Sequence, residues 1–186
     1  MKNNLALFLF LMMLTACSTN TSNVSSGYFS IAGFLSSEQK SLKAEQAWLL
    51  KEVTYEGKKE VQSIHHPDWD QELKPFLESA IDKPASVNAY SVDSTSTPGK
   101  IIYLAKEKKS PVRRMEISYS NQQPHVIHIE FEKSNSWFIH KQELTFTSGE
   151  GYHISGEQKM ALGKTTRYSI ACRFMKKVSP SRNTIK

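Results

Sequence analysis

The chain has 186 residues, of which 39% are hydrophobic and 23% charged, a composition typical of a single globular domain. Its formal net charge of +6 is modest, and the basic residues are spread along the chain rather than gathered in a stripe, so we predict no nucleic-acid partner. With only two cysteines, Cys17 and Cys172, the chain can form at most one disulfide.

The N-terminal residues have the pattern of a signal peptide. Lys2 supplies one positive charge, and an unbroken apolar run follows from Leu5 to Leu14. A helix of that length spans about 15 Å, which is too short for a hydrocarbon core of about 30 Å. The run ends in the sequence Leu-Thr-Ala-Cys, at residues 14–17.

This LTAC stretch resembles the bacterial lipobox, in which small residues precede an invariant cysteine. The resemblance implies that the sulfur of Cys17 receives a diacylglyceryl group, that signal peptidase II cuts before it, and that the lipid attaches the protein to a membrane. Ser18, rather than aspartate, comes next, which by the sorting rule of some Gram-negative bacteria favours the outer membrane over the inner. An ordinary secretory signal with an incidental cysteine is the alternative.

Four segments are predicted along the chain. Residues 1–16 form the lipoprotein signal peptide, and residues 17–27, which are poor in large apolar side chains, form a flexible tether. Residues 28–175 form one α+β domain. The basic residues 176–186 form a disordered tail.

The domain is predicted to begin with a helix over residues 30–45, capped by Ser30 and carrying an apolar stripe. Strand-forming residues on both sides of Glu56-Gly57 indicate a hairpin. A second amphipathic helix follows Asp68, and Pro75 either kinks this helix or starts it.

After a Pro-, Ser- and Thr-rich stretch with one short strand, apolar and polar residues alternate with period two up to residue 175. This alternation predicts adjacent antiparallel strands with one covered face. The predicted fold is therefore α+β, an antiparallel sheet of about six to eight strands with two amphipathic helices packed on one face. Cys172 shares a strand face with apolar neighbours, so we expect a buried thiol and no bridge to Cys17.

The chain contains no common catalytic or nucleotide-binding motif. The densest cluster of metal-ligand side chains is His65, His66, Asp68 and Asp70. The alternative is that the aspartates serve the start of a helix. We favour that alternative and predict no catalytic residue, no cofactor and no metal, with these four residues as the candidates if a metal binds.

Three further histidines, His128, His140 and His153, lie on successive predicted strands. Their positions in the alternation place His128 and His153 towards solvent and His140 inward, so we favour separate roles over a triad. A basic run around Lys106–Arg114 is able to meet anionic lipid head groups. The alternative, which we favour, is a solvated face that protects a sheet edge.

Three segments, GYFSIAGFL (27–35), WDQELKPFLESAIDKPA (69–85) and GYHISGEQKMALGKTTRYSIACRF (151–174), resemble those of a family of uncharacterised, lipid-anchored envelope proteins of Gram-negative bacteria. The resemblance implies a place in the envelope and assigns no activity. The predicted architecture is also similar to the half-open barrels that carry lipoproteins or lipids.

The sequence thus favours a non-enzymatic binding or structural module, anchored through the lipid on Cys17 and facing the periplasm or the cell surface. Its partner would be an envelope protein, or an apolar ligand held between helices and sheet. The alternatives are a metal-dependent or His/Asp-based envelope hydrolase, and an accessory subunit of an outer-membrane assembly or a lipid- or lipoprotein-carrier-like protein.

Overall fold

The computed structural model describes residues 27–176. The predictions for the signal peptide, for Cys17 and for nearly all of the tether and of the tail lie outside the described residues. The helices are α1 (Ile31–Ala44), α2 (Trp69–Glu72) and α3 (Lys74–Glu78), followed by a 3-10 turn, Pro84–Ser86. The strands are β1 (Trp48–Tyr55), β2 (Lys58–Ile64), β3 (Tyr90–Asp93), β4 (Lys100–Ala105), β5 (Val112–Ser120), β6 (Gln123–Ser134), β7 (Phe138–Thr147), β8 (Gly151–Met160) and β9 (Thr165–Met175).

All the strands belong to one antiparallel sheet, in the order β2-β1-β9-β8-β7-β6-β5-β4-β3. Strands β3 to β9 form a meander, and the β1–β2 hairpin attaches where β1 pairs with β9, the last strand. The α+β class is confirmed, but the sheet has nine strands rather than six to eight. The sequence indicates both edge strands, β2 as an arm of the hairpin and β3 as the short strand, and the error lies in the number of strands assigned to the sheet, since β2 is exposed almost throughout and β3 is only four residues long.

The helices differ from the predicted pair. α1 matches its predicted range, and the Gly33 amide donates to Ser30 Oγ at its N-terminus, 3.3 Å away. The second predicted helix is instead two short ones that break at Leu73. Pro75 lies in the first turn of α3, where its missing N–H costs no hydrogen bond. The expectation of two amphipathic helices is therefore wrong, since the described residues contain three short α-helices.

The helices pack on one face of the sheet, the covered face. Aromatic rings fill this interface: Phe34 and Phe76 meet Phe146 at 5.6 and 5.7 Å between centroids, and Trp69 meets Phe174 at 5.6 Å. The predicted inward residues of the meander are buried here. These include Met115, Ile117, Ile127, Ile129, Leu144, Phe146, Ile154 and Cys172.

The two ends of the strands differ. The tip end carries four connections: the β1–β2 turn (56–57), the β4–β5 loop (106–111), the β6–β7 turn (135–137) and the β8–β9 turn (161–164). The opposite helix end is tied to α1, because the Glu38 carboxylate accepts from Ser148 Oγ at 2.7 Å and from the Gly149 amide at 3.1 Å. Within residues 27–176, no helix is both long enough and apolar enough to cross a bilayer.

Candidate functional site

A pocket of about 720 Å³ opens at the helix end, between the end of α1, the start of β1 and the connection from β2 to α2. We call it the Trp–His pocket. Its volume lies within the range of small-ligand sites. It is lined by Leu42, Lys43, Gln46, Ala47, Trp48, His65, His66, Pro67 and Trp69.

The floor of the Trp–His pocket is apolar. Leu42, Ala47 and Trp69 are each at most 5% exposed. The floor forms where α1 ends: Gln46 takes a left-handed conformation with φ of 51°, and the Ala47 amide then donates to the Leu42 carbonyl at 2.9 Å. This tight turn at the C-terminus of α1 leads directly into β1 and places the helix terminus against the sheet.

One wall of the pocket is a pair of rings in tilted contact. The Trp48 and His65 rings lie 5.0 Å apart between centroids, with 32° between their planes. Trp48 opens β1 and His65 follows β2, and the pairing of Leu49 with Ile64 brings the two together. Lys43, Gln46 and His66 contribute polar groups to the lining. An apolar floor with a few polar groups around it is the usual composition of a ligand site.

The four metal candidates from the sequence do not act together. Asp68 Oδ1 accepts from the amides of Asp70 and Gln71 at 3.1 and 3.2 Å, which is the predicted capping role. Asp70 Oδ1 accepts from Gln39 Nε2 at 3.2 Å, which ties α2 to α1. Only His65 and His66 line the pocket. Across residues 27–176, no three histidine, cysteine, aspartate or glutamate side chains are grouped so that they could hold a metal ion.

The strand histidines also have separate surroundings. On the face opposite the helices, His128 Nδ1 lies 3.0 Å from Thr145 Oγ1 and His153 Nε2 lies 3.0 Å from Ser169 Oγ. His140 lies on the covered face, as its parity predicts, with Nε2 3.0 Å from the Tyr168 hydroxyl. Burial lowers the pKa of His140 below its ordinary value. The structure therefore does not bring the three together.

Sequence reasoning missed a polar cluster under α2. The Glu72 carboxylate accepts from Lys51 Nζ at 2.7 Å and also from the Tyr152 hydroxyl. Cys172, the register neighbour of both Lys51 and Tyr152, lies beneath. Burial raises the pKa of the Cys172 thiol to about 11 and raises that of Tyr152 as well. A thiol held protonated in this way is a poor nucleophile, so the cluster serves packing.

A second concavity, the charged groove, has a volume of about 450 Å³. In-register neighbours Glu132, Lys141, Glu157 and Arg167 alternate in sign across β6 to β9 on the face opposite the helices. Arg167 contacts Glu157 at 3.5 Å, and Glu132 contacts Arg113 at 3.8 Å. Exposed ion pairs such as those of the charged groove contribute little binding energy. A ligand that covers the apolar floor of the Trp–His pocket gains about 25 cal/mol for each Å² of apolar surface removed from water.

The Trp–His pocket is therefore the better candidate site. A planar or apolar group that enters it meets Trp48 and a buried apolar floor, while the imidazoles and the Lys43 ammonium are placed to orient a polar end. The sequence pointed to His65 and His66 but not to Trp48, because the proximity of Trp48 to His65 depends on strand register.

Comparisons of the chain with protein-family models, with curated proteins and with solved structures give no match.

Proposed function

We propose that this chain is a lipid-anchored protein of the bacterial cell envelope that acts as a non-enzymatic binding module. The anchor is the lipid on Cys17, and the outer membrane is the favoured location. The module takes an apolar or aromatic group of a partner into the Trp–His pocket.

One observation carries the binding part of the proposal. The pocket combines an apolar floor with the Trp48–His65 wall in a volume of about 720 Å³. The rest of the interface between helices and sheet is filled by rings such as Phe76 and Phe146. A ligand deep between helices and sheet would have to displace these rings, so the partner group is expected at the helix end.

Mass spectrometry of the protein purified from membranes tests the anchor. We expect an N-terminal peptide that begins at Cys17 and carries a diacylglyceryl group. Cys17→Ser should abolish this peptide and leave an uncleaved precursor, whereas Cys172→Ser, the matched control, should retain the lipid. An unacylated Cys17, or a mature N-terminus elsewhere, would overturn the anchor.

Photo-crosslinking in cells tests the pocket. A benzophenone side chain in place of His66, on the pocket rim, should give a defined adduct. The same group in place of Lys40, an exposed residue of α1 outside the pocket lining, is the control. Trp48→Ala should remove the His66 adduct and Trp48→Phe should retain it, with circular dichroism to confirm that both variants fold. Equal adducts from the two positions, or an adduct indifferent to Trp48→Ala, would reject the pocket.

A further inference from the structure

Exposed apolar side chains cluster at the tip end, opposite the Trp–His pocket. Leu162 in the β8–β9 turn is 98% exposed and Trp137 in the β6–β7 turn is 71% exposed. Ile139 and Met160, beside the two turns, are also exposed. Each large apolar side chain left in water forgoes the free energy that its burial would contribute. A group of them at one place therefore indicates a contact surface.

The turn that presents Trp137 is well ordered by hydrogen bonds. Asn135 Oδ1 accepts from the amides of Trp137 and Phe138 at 2.8 and 3.0 Å. The Ala161 amide donates to the Trp137 carbonyl at 2.8 Å and so joins this turn to the β8–β9 turn that carries Leu162. The two apolar side chains therefore project from one braced unit, which we call the tip.

The charge around the tip is mainly positive. Exposed lysines flank both turns: Lys133, Lys159 and Lys164. The β4–β5 loop at the same end adds Lys106, Lys108 and Lys109, of which Lys109 pairs with Glu107 at 2.8 Å. Tryptophan prefers the interface between hydrocarbon and head groups, and lysines near an anionic bilayer are attracted to its surface. This combination matches an anionic lipid surface.

The first described residues contact both ends of the domain, because the Tyr28 side chain reaches the tip end while Phe29 and Ser30 lie beside Gln123 and Pro124 at the helix end. The Tyr28 hydroxyl donates to the Tyr90 carbonyl at 3.2 Å and accepts from the Tyr90 amide at 3.1 Å. Tyr90 opens β3 and pairs with Ala105, the last residue of β4. The twelve residues from Cys17 to Tyr28 reach at most about 40 Å. This reach exceeds the length of the strands, so a lipid on Cys17 leaves the tip end free to meet the membrane.

We propose that the tip docks onto an anionic phospholipid bilayer, with Trp137 and Leu162 inserted at the level of the head groups. This second membrane contact goes beyond the proposed function, because it orients the domain as well as tethering it. The ten residues of β8 span about 33 Å from tip end to helix end. Docking therefore holds the Trp–His pocket away from the bilayer, facing a partner.

Two environment-sensitive labels test the orientation. Ser136→Cys places a nitrobenzoxadiazole label beside Trp137, and Ser94→Cys places it in the β3–β4 loop at the helix end; both serines are exposed. Cys172 is buried, and the full chain without an added cysteine gives the labelling background. The labelled full-length protein is reconstituted into vesicles of phosphatidylcholine with or without one quarter phosphatidylglycerol.

With phosphatidylglycerol present, we expect the Ser136 label to brighten at least twofold and to be quenched by brominated lipid, while the Ser94 label stays as in water. Trp137→Ser with Leu162→Ser should remove most of that response, and Lys108→Glu with Lys109→Glu should reduce it. Both pairs are exposed, so folding should persist, which circular dichroism checks.

Equal responses from the two labels would overturn the docking, and so would a Ser136-label response that the Trp137 and Leu162 substitutions leave unchanged. Brightening without vesicles as the protein concentration rises would also overturn it, because that result indicates self-association or a protein partner. The labels decide this whether or not Cys17 carries lipid, since protein added to vesicles from solution gives the same comparison. Failure of the anchor and failure of the tip are therefore distinguishable.

Discussion

The Glu72 carboxylate of α2 lies 2.7 Å from the Lys51 ammonium of β1, and their side chains are only 13% and 22% exposed. The same carboxylate accepts from the Tyr152 hydroxyl of β8. One short helix is thus fastened to two strands that flank β9. Since α2 also supplies Trp69 to the floor of the Trp–His pocket, this contact positions the pocket as well as the core.

We expect Glu72→Gln to lower the free energy of unfolding by about 2 kcal/mol, because Lys51 keeps its charge in a half-buried place without its anionic partner. Urea denaturation with an unchanged m-value measures the loss. Glu78→Gln is the matched control: its contact with Lys74 is 4.0 Å long and both side chains are exposed, so a change within about 0.5 kcal/mol is expected. Equal effects of the two substitutions would contradict the role of the Lys51–Glu72 pair.

Gly156→Ala should destabilise the domain by about 1 to 3 kcal/mol. A Cβ at residue 156 would lie 2.6 Å from the Tyr168 hydroxyl oxygen and 2.8 Å from the Lys141 carbonyl oxygen, so the Tyr168 ring would have to move and lose its bonds to Gln142 and His140. Thermal unfolding measures the effect.

The same glycine-to-alanine change at Gly33 provides the control for Gly156. Gly33 lies in α1, where a Cβ meets only ordinary contacts of 3.5 Å and longer. Alanine favours the helix there by up to about 1 kcal/mol, so the two substitutions should have opposite signs. A stabilised Gly156→Ala variant would show that Tyr168 moves aside without cost.

The Cys172 thiol should resist alkylation in the folded protein. Its pKa of about 11 leaves a thiolate fraction on the order of 10⁻³ at pH 8, and the side chain is buried. Iodoacetamide with mass-spectrometric detection should modify Cys172 only after urea is added. Ser94→Cys, exposed on a loop, should react at once in the same sample.

The raised pKa of Cys172 also sets a direction for stability at alkaline pH. The folded state disfavours the thiolate, so the contribution of the neutral thiol is fully present below about pH 9 and is lost as pH rises towards 11. Cys172→Ala should flatten this part of the stability curve. An unchanged curve would assign the alkaline loss to other groups.

His140 should titrate below its ordinary pKa of 6.5, because burial disfavours its charged form. Because the pKa of His140 is lower in the folded state, its contribution to stability is fully present above pH 6.5. This contribution is lost as the pH falls through the folded-state pKa. Nuclear magnetic resonance of the imidazole signals measures the pKa directly. Tyr168→Ala, which uncovers the ring, should return the pKa towards 6.5, and no movement would contradict burial as the cause.

Local sequence patterns predict elements of this fold well wherever one side of an element is buried. Ser30 marks the start of α1, and the alternation around Ile127 and Ile129 identifies the covered face. Glu56-Gly57 forms the expected hairpin turn, with φ of 48° and 78°, both in the left-handed region. Each of these signals lies within a few residues, so no tertiary knowledge is needed to recognise it.

The features that escaped prediction depend on long-range register. Short patterns indicate both edge strands, but no local pattern shows that all nine described strands join one sheet. Glu72 and Tyr152 are 80 residues apart, and Trp48 meets His65 only through the pairing of β1 with β2. A local pattern carries no information about which strand lies beside which, and the candidate site depends on that information.

The pairing of β1 with β9 has a consequence for how the domain is made. Trp48 pairs with Met175 and Tyr55 with Tyr168. Nearly the whole domain must therefore emerge from the ribosome before β1 can pair with β9. Contacts of such sequence separation slow folding, and an unpaired strand edge invites association with other chains. A nascent chain that stops before β9 would leave both β1 and β8 open, so we expect truncation there to yield aggregation rather than a smaller folded domain.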